Sequence, residues 1–308
     1  MKNTQTTPTT PNLPTIMFVA VFTSNSTNVS QSRGFRSEGY GVYEYDFRER
    51  LRILGSPNLR DKDLINCVKE LSPQIVIFSK GDGISAKTII ECNKYSKTIL
   101  WYMDAMHNFN QNLIEKIKVV DSFSCGVPGV NLEAKKYSPN VHFVEQCYDD
   151  EFNFPINEVV KDLDITFIGN VGSHIHSNRL FYINYLKQNH SLFSHFTGVY
   201  GLEHNSIVNR SKINLNFTPI DGTGSSVRLH KILASQGFLM TLPWIGMEKS
   251  FTPGKDFVVF TSLKDLKEKT NYYLSNPQER DKIRKHGYRT IQSSHPNMWA
   301  KNIINTLN

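Results

Sequence analysis

Short apolar runs alternate with amphipathic stretches along this chain, and their order predicts the fold. Ile16 to Thr23 (IMFVAVFT) is an apolar run of the kind that becomes a central parallel strand covered on both faces. Further alternation follows: Gly41 to Asp46, the amphipathic stretch Arg60 to Leu71, and a strand at Gln74 to Phe78. The loop Ser79-Lys80-Gly81-Asp82-Gly83 leads into a helix through Tyr95 and a strand over Thr98 to Tyr102. Weak strands near Ser122 and at Val141 to Val144 close this half. Strand and helix repeating at this interval predict an α/β fold with a doubly wound parallel sheet.

Tyr148 to Val160 is acidic, contains Pro155 and breaks the alternation, so it reads as an interdomain connection. A second series then starts: strand Asp164 to Gly169, loop Asn170 to Ser177, helix Asn178 to Asn189, strand His195 to Tyr200, and a helix near Asn205 to Lys212. Next comes one βαβ unit. Its strand is Ile213 to Phe217, its loop carries Gly222 and Gly224, its helix is opened by Ser225 or Ser226 and closed at Gly237, and its second strand is Phe238 to Leu242. A strand at Asp256 to Phe260, a helix capped by Ser262 with Asp265 at the box position, and a helix from Asn276-Pro277 follow. The segment Asn297 to Leu307 is a last amphipathic stretch.

The helix of the βαβ unit carries a conflict. Leu229, Ile232 and Leu233 form its apolar stripe, while Arg228 and Lys231, three apart, share another face. Arg228 also falls in the first turn, where unpaired N–H groups already supply roughly half a positive charge. An anion docked there would resolve the repulsion, and glycines before such a helix let the backbone approach a phosphate. A diphosphate site built from Gly222, Gly224, Ser225, Ser226, Arg228 and Lys231 is one reading. A solvated basic face beside an ordinary loop is the other.

At 308 residues the chain suits two domains, each able to bury a core. With 39% hydrophobic residues and a mean hydropathy of −0.37, it has no run approaching the roughly 18 apolar residues of a membrane span. Met1 to Pro14, rich in Thr, Pro and Asn, lacks a signal-peptide layout and reads as a disordered leader. Cys67, Cys92, Cys125 and Cys147 are widely spaced, which indicates neither a zinc knuckle nor a disulfide framework and fits a reducing, cytoplasmic setting. The net charge of +7 favours anionic partners such as nucleotides, nucleic acid or an acidic membrane face. The basic residues are dispersed, so this balance does not choose among them.

Other candidates lie at predicted strand ends, where α/β sheets place ligands. Ser24 opens the polar loop after the first strand, and Arg33 and Arg36 follow on a short helix; ligand contact and plain surface charge both stand for the two arginines. Asp104 emerges after Ile99-Leu100-Trp101-Tyr102 in partly desolvated surroundings that suit a general base, with His107 near enough to be its partner. A helix-capping role for Asp104 is the alternative. Asp162-Leu163-Asp164 precedes its strand and is rejected as a metal site. His174 and His176 read as polar loop residues near a phosphate rather than zinc ligands. Asn214 and Asn216 share one strand face and are expected to brace a loop, with ligand contact as the alternative.

From Ile165 onward an ordered set of pieces resembles one family: FIGN with Arg179 downstream, VYG at Val199 to Gly201, SKINLNF, SSVRLHKILASQGFLMT, the run from Phe251, and KEKTNYYLSNPQERDKIRKHGY. Together they resemble the spore-maturation-protein-type (glycosyl transferases group 1) GT-B glycosyltransferases. In the first half the likeness thins to Ser79-Lys80-Gly81 and Trp101-Tyr102-Met103-Asp104. The resemblance implies two Rossmann-like domains facing across a cleft. Residues 15–155 would form the acceptor side and 156–294 the nucleotide-sugar side, after a leader over 1–14. The helix in 295–308 would pack back on the first domain. Gly169, Asn170, Ser173, Tyr200, Gly224, Ser225, Ser226, Arg228 and Lys231 would then bind donor, with Ser24, Arg33, Lys80 and His107 on the acceptor side. Where the family commonly has a ribose-binding Glu this chain has Lys231, which leaves Glu248 as the candidate for that role.

The same resemblance implies transfer of a sugar from a UDP- or GDP-linked donor to a hydroxyl acceptor without a bound metal, because basic residues and a helix start neutralise the departing diphosphate. Asp104 as base would invert the anomeric centre. The acceptor stays open: a glycan, a lipid-linked or protein hydroxyl, or a hydroxymethylated DNA base. A catalytically silent nucleotide- or polyanion-binding module is a third reading. A dehydrogenase is disfavoured because no G-x-G-x-x-G follows either leading strand.

Overall fold

The computed structural model describes residues 13–172 and 177–308. The leader expected over 1–14 thus lies almost wholly outside the described residues. The first sheet contains β1 (Thr15–Ala20), β2 (Gly41–Asp46), β3 (Ile75–Ser79), β4 (Lys97–Tyr102), β5 (Ser122–Cys125) and β6 (Val141–Phe143), in the order β2-β1-β3-β4-β5-β6. A second sheet contains β7 (Leu163–Ile168), β8 (Phe193–Phe196), β9 (Ser211–Asn216), β10 (Leu239–Thr241) and β11 (Val258–Val259), in the order β11-β10-β9-β7-β8. Every pairing in both sheets is parallel. These are two Rossmann-like domains.

The apolar run that opens the chain is buried because β1 is central. Met17 and Val19 face a core with Val76, Phe78, Leu100 and the helix residues Leu64 and Val68. Ile16, Phe18 and Ala20 face the opposite core with Ile77, Trp101 and Phe35. That second face is closed by the helix Pro296–Ile304, which crosses from the C-terminal end of the chain. Trp299 is 1% exposed, with its ring 5.2 Å from Phe35 and 5.4 Å from Trp101. Gly34 makes this approach possible, since a Cβ there would fall on the carbonyl of Pro296.

Some expected boundaries move. The strand expected over His195 to Tyr200 is Phe193–Phe196, because Gly198 and Gly201 turn the chain at φ 71° and 55° and the next helix starts at Gly201 rather than near Asn205. Asp162 and Asp164, rejected as metal ligands, pair instead with Arg210 at 2.6 Å and Lys212 at 2.5 Å. Asn216 braces the loop after β9 as expected, donating to Ser225 at 3.4 Å and accepting from Ser226 at 3.2 Å, whereas Asn214 ties strand to strand, accepting from Thr166 at 3.2 Å.

Candidate functional site

In the second sheet β7 lies between β8 and β9, so the chain reverses its winding there and the strand ends open a crevice. Gly169 and Asn170 follow β7. Ser173, His174 and His176 lie outside the described residues. After β9 a loop leads to the helix Val227–Ala234, whose N-cap is Ser226. The Ser226 hydroxyl turns away from the helix and donates to Asn216 Oδ1 at 3.2 Å, and the first turn holds no acidic residue. The helix therefore starts with uncapped N–H groups, which favour an anion.

Arg228 is locked into this crevice. Its Nε donates to the Ile168 carbonyl at 2.5 Å, its Nη1 donates to Asn216 Oδ1 at 3.0 Å, and its guanidinium lies 4.8 Å from the Phe167 ring centroid. Residue 169 must be glycine beside it: φ is +152°, and a Cβ would run into Nη2 of Arg228. Burial pushes the Arg228 guanidinium down to about 9, and the charge of Arg179 adds to the effect. Arg179 donates to the Asn170 carbonyl at 2.5 Å and so holds the loop after β7.

Lys231 follows one turn along. Its ammonium makes no hydrogen bond among the described residues, and burial lowers its pKa, opposed by Asp149 and reinforced by Arg228. Neither Arg228 nor Lys231 pairs with a carboxylate among the described residues. Both line a cavity of about 230 Å³ together with Gly169, Asn170, Tyr200 and His204. His204 is 6% exposed, and burial, with the charges of Lys231 and Arg228, pushes its imidazole down to about 3. Its Nδ1 is buried without a hydrogen-bond partner among the described residues. Two cations and a neutral imidazole stand close together with no carboxylate ion-paired to either cation among the described residues, a costly arrangement that a bound anion would relieve.

The remaining donor-side candidates divide. Tyr200 stands on the cavity rim, 54% exposed. Ser225 accepts from Asn216 Nδ2 at 3.4 Å and serves the same brace. Gly224 has a different reason from the phosphate approach expected of it: a Cβ there would lie 2.6 Å from Cγ1 of Val127, so the glycine lets this loop dock on the N-terminal domain. Gly222 makes a turn at φ 61° and accepts from the Ile245 amide at 2.8 Å. Glu248 is exposed on the turn Met247–Lys249 and does not line the cavity. His204, Gly198 and the Phe167 ring beneath Arg228 were not singled out from sequence. The histidine carried no signal, because its place depends on a helix start that was predicted four residues late.

On the N-terminal side, Asp104 follows β4 and its Oδ2 lies 2.6 Å from Lys80 Nζ, with Asn108 Nδ2 donating to the same oxygen at 3.1 Å. Asp104 is therefore an ion-paired carboxylate rather than one merely desolvated. Both residues line a cavity of about 360 Å³ between the domains, which reaches Val227 at the start of the Arg228 helix. His107 is exposed and lines none of these cavities, so it is not the partner of Asp104. Ser24 is exposed, while its neighbours Thr23, Asn25 and Ser26 line the interdomain cavity. Arg33 does not face a ligand either. It is engaged by Asp149 at 2.9 Å, Asp150 at 2.8 Å and Glu151 at 3.0 Å, and so fastens the interdomain connection to the first domain; Arg36 pairs with Glu44 at 2.8 Å.

A second clasp joins the domains. His230 Nε2 lies 2.9 Å from Glu145 Oε1. Burial pushes the Glu145 carboxyl up, but its hydrogen bonds with His230, Ser250 and the Gln146 amide outweigh that and hold it below the usual range.

Residues 154–305 match the model of a glycosyl transferase-like family. No curated protein sequence matches the chain. Among solved structures, HepE of Anabaena in complex with UDP-glucose superimposes with a TM-score of 0.68 at 8% identity, covering 95% of this chain and 99% of that one. A glycosyltransferase from Rickettsia africae gives a TM-score of 0.65 at 10% identity, covering 96% and 98%. The lipopolysaccharide outer core galactosyltransferase WaaB gives 0.65 at 13% identity, covering 95% and 99%. At these identities the likeness establishes the architecture, two Rossmann-like domains in the GT-B arrangement.

Proposed function

We propose that this chain, which has the GT-B fold, is a glycosyltransferase that moves a sugar from a nucleoside-diphosphate donor to an acceptor hydroxyl held between the domains. One observation carries the reading: Arg228 and Lys231 project from an uncapped helix start into one cavity with no carboxylate paired to either among the described residues. A diphosphate supplies the missing negative charge. HepE was solved with UDP-glucose, which supports a UDP-linked donor here.

In the proposed reaction Asp104 takes the proton from the acceptor hydroxyl, and the oxygen forms a bond to the anomeric carbon as the bond to the diphosphate breaks. The leaving charge is received by Arg228, Lys231 and the first-turn N–H groups, so no step calls for a metal. Attack from the side opposite the leaving group inverts the anomeric centre. Tyr200 at the rim offers a ring face to the nucleobase.

Thermal unfolding with UDP, GDP and their sugars tests the donor site, since a ligand that binds only the folded state stabilises in proportion to its occupancy. Stabilisation by UDP that is absent in Arg228→Ala supports the reading. No shift with any nucleotide overturns it, and binding without turnover would mark a silent module.

A further inference from the structure

We infer that the acceptor is an oligosaccharide, one of whose further sugar rings docks in a cavity on the N-terminal domain behind Asp104; this rests on the transfer reaction proposed above. The cavity is about 270 Å³, and all its lining residues fall between positions 80 and 116. It shares Lys80, Asp82 and Asp104 with the interdomain cavity, so the two meet at the Lys80–Asp104 pair. The interdomain cavity reaches the donor helix at Val227; the one behind Asp104 has no lining residue from the C-terminal domain. A hydroxyl held by Asp104 toward the donor leaves the rest of its molecule to run past the ion pair into the rear cavity.

The lining selects the occupant. Lys80 and Lys116 are balanced by Asp82 and Asp104, so the cavity presents no net charge to a phosphate backbone. Tyr102 is the one aromatic residue of the lining, far from the interleaved rings and cations of a nucleic-acid groove. Leu113 is its one aliphatic side chain, which leaves nothing for a lipid tail. Carboxylates that accept, ammonium groups that donate and asparagine amides that do both stand close together instead, and this mixture matches the hydroxyls of an uncharged sugar.

Two features mark the cavity as built. Lys116 is 3% exposed and gives one hydrogen bond, 2.7 Å to the Gly81 carbonyl, so two of its three donors have no protein partner among the described residues. Lys80 carries its side chain to Asp104 from a left-handed backbone, φ 61°, a conformation that is strained for a residue with a Cβ and persists where the surroundings enforce it.

Asn112 stands exposed at the cavity mouth, so Asn112→Trp can obstruct it without threatening the fold. Tyr102→Phe removes one lining hydroxyl as a milder second variant. The full chain is presented with an array of uncharged mono-, di- and trisaccharides and with hydroxymethylcytosine duplex DNA, and the retained ligands are then titrated by saturation-transfer NMR. The expected result is a di- or trisaccharide bound roughly tenfold or more tighter than its terminal monosaccharide. That preference collapses in Asn112→Trp and weakens in Tyr102→Phe. Retention of DNA but no saccharide, binding of no probe, or a length preference that survives Asn112→Trp overturns the inference. Thermal shift with UDP and GDP on the same preparation separates the two readings: saccharide binding without nucleotide binding would sink the donor assignment and leave the cavity a saccharide site with no acceptor role.

Discussion

Lys80 Nζ and Asp104 Oδ2 lie 2.6 Å apart at the rim shared by two cavities, one of which reaches Val227 at the start of the helix that carries Arg228. The pair fixes where the carboxylate points, and Asn108 donates to the same oxygen. Removing the carboxylate's ability to take a proton while keeping its shape isolates the chemistry. Asp104→Asn is expected to lower kcat by roughly a hundredfold to ten-thousandfold, the usual worth of a positioned base, with UDP affinity unchanged within error. Steady-state kinetics with the best donor check this; a variant at full rate removes Asp104 from the reaction.

Arg228 is expected to tolerate no replacement, including lysine. Its Nε and Nη1 are committed to Ile168 and Asn216, which leaves Nη2, beside Gly169, as the free end of a rigid fork. Lysine cannot make both anchors and still present a donor. Arg228→Lys and Arg228→Ala should each weaken UDP binding by roughly tenfold to a hundredfold, the value of one charge-assisted hydrogen bond. Isothermal titration reads the difference, and near-native affinity in Arg228→Lys would show that charge alone suffices.

His204 gives stability a pH dependence with a definite sign. Its folded value, about 3, lies below the ordinary 6.5, so between these limits the unfolded chain binds more protons than the folded one. The contribution is complete above pH 6.5 and is lost as pH falls, by up to about 1.4 kcal/mol per unit. Glu145, also held below its usual value, adds loss in the same direction below about pH 4.5. His204→Gln should flatten the dependence between pH 6.5 and pH 4.5 in urea titrations, where Glu145 stays ionised. A slope that is the same in both proteins would rule out His204 as its source.

The architecture was legible because both sheets are parallel and buried, so their strands read as apolar runs whichever face they show. Strand β1 and the βαβ unit around Val227–Ala234 were located to within a few residues on that basis. Arg228 was legible for a local reason, a cation in a first turn where an anion belongs. Several readings failed because they depend on distant partners. Arg33 looked like a free cation until Asp149, Asp150 and Glu151, more than a hundred positions away, were found around it. Gly224 looked like a phosphate glycine, but Val127 explains it. No local pattern announces that Lys80 and Asp104 meet, because loop geometry rather than spacing brings them together.

The crossing of the C-terminal helix onto the first domain makes a stability prediction independent of any ligand. Trp299 fills the space between Phe35 and Trp101, and Gly34 provides clearance for the backbone at Pro296. Trp299→Ala should cost about 3–5 kcal/mol through lost burial and the cavity left behind. Gly34→Ala should cost about 1–3 kcal/mol through the opposite fault, overpacking against backbone that cannot yield. Trp299→Phe keeps much of the contact and should recover part of the loss. Because the helix belongs to one domain by sequence and to the other by packing, loosening it should also free the domains to shift relative to each other. Both alanine variants are therefore expected to raise the KM for the proposed nucleotide-sugar donor even though neither residue lines the cavity that holds Arg228. Denaturant midpoints and donor kinetics measured on the same preparations test this, and lost stability with an unchanged KM would show that the helix acts as a strap with no part in setting the cleft.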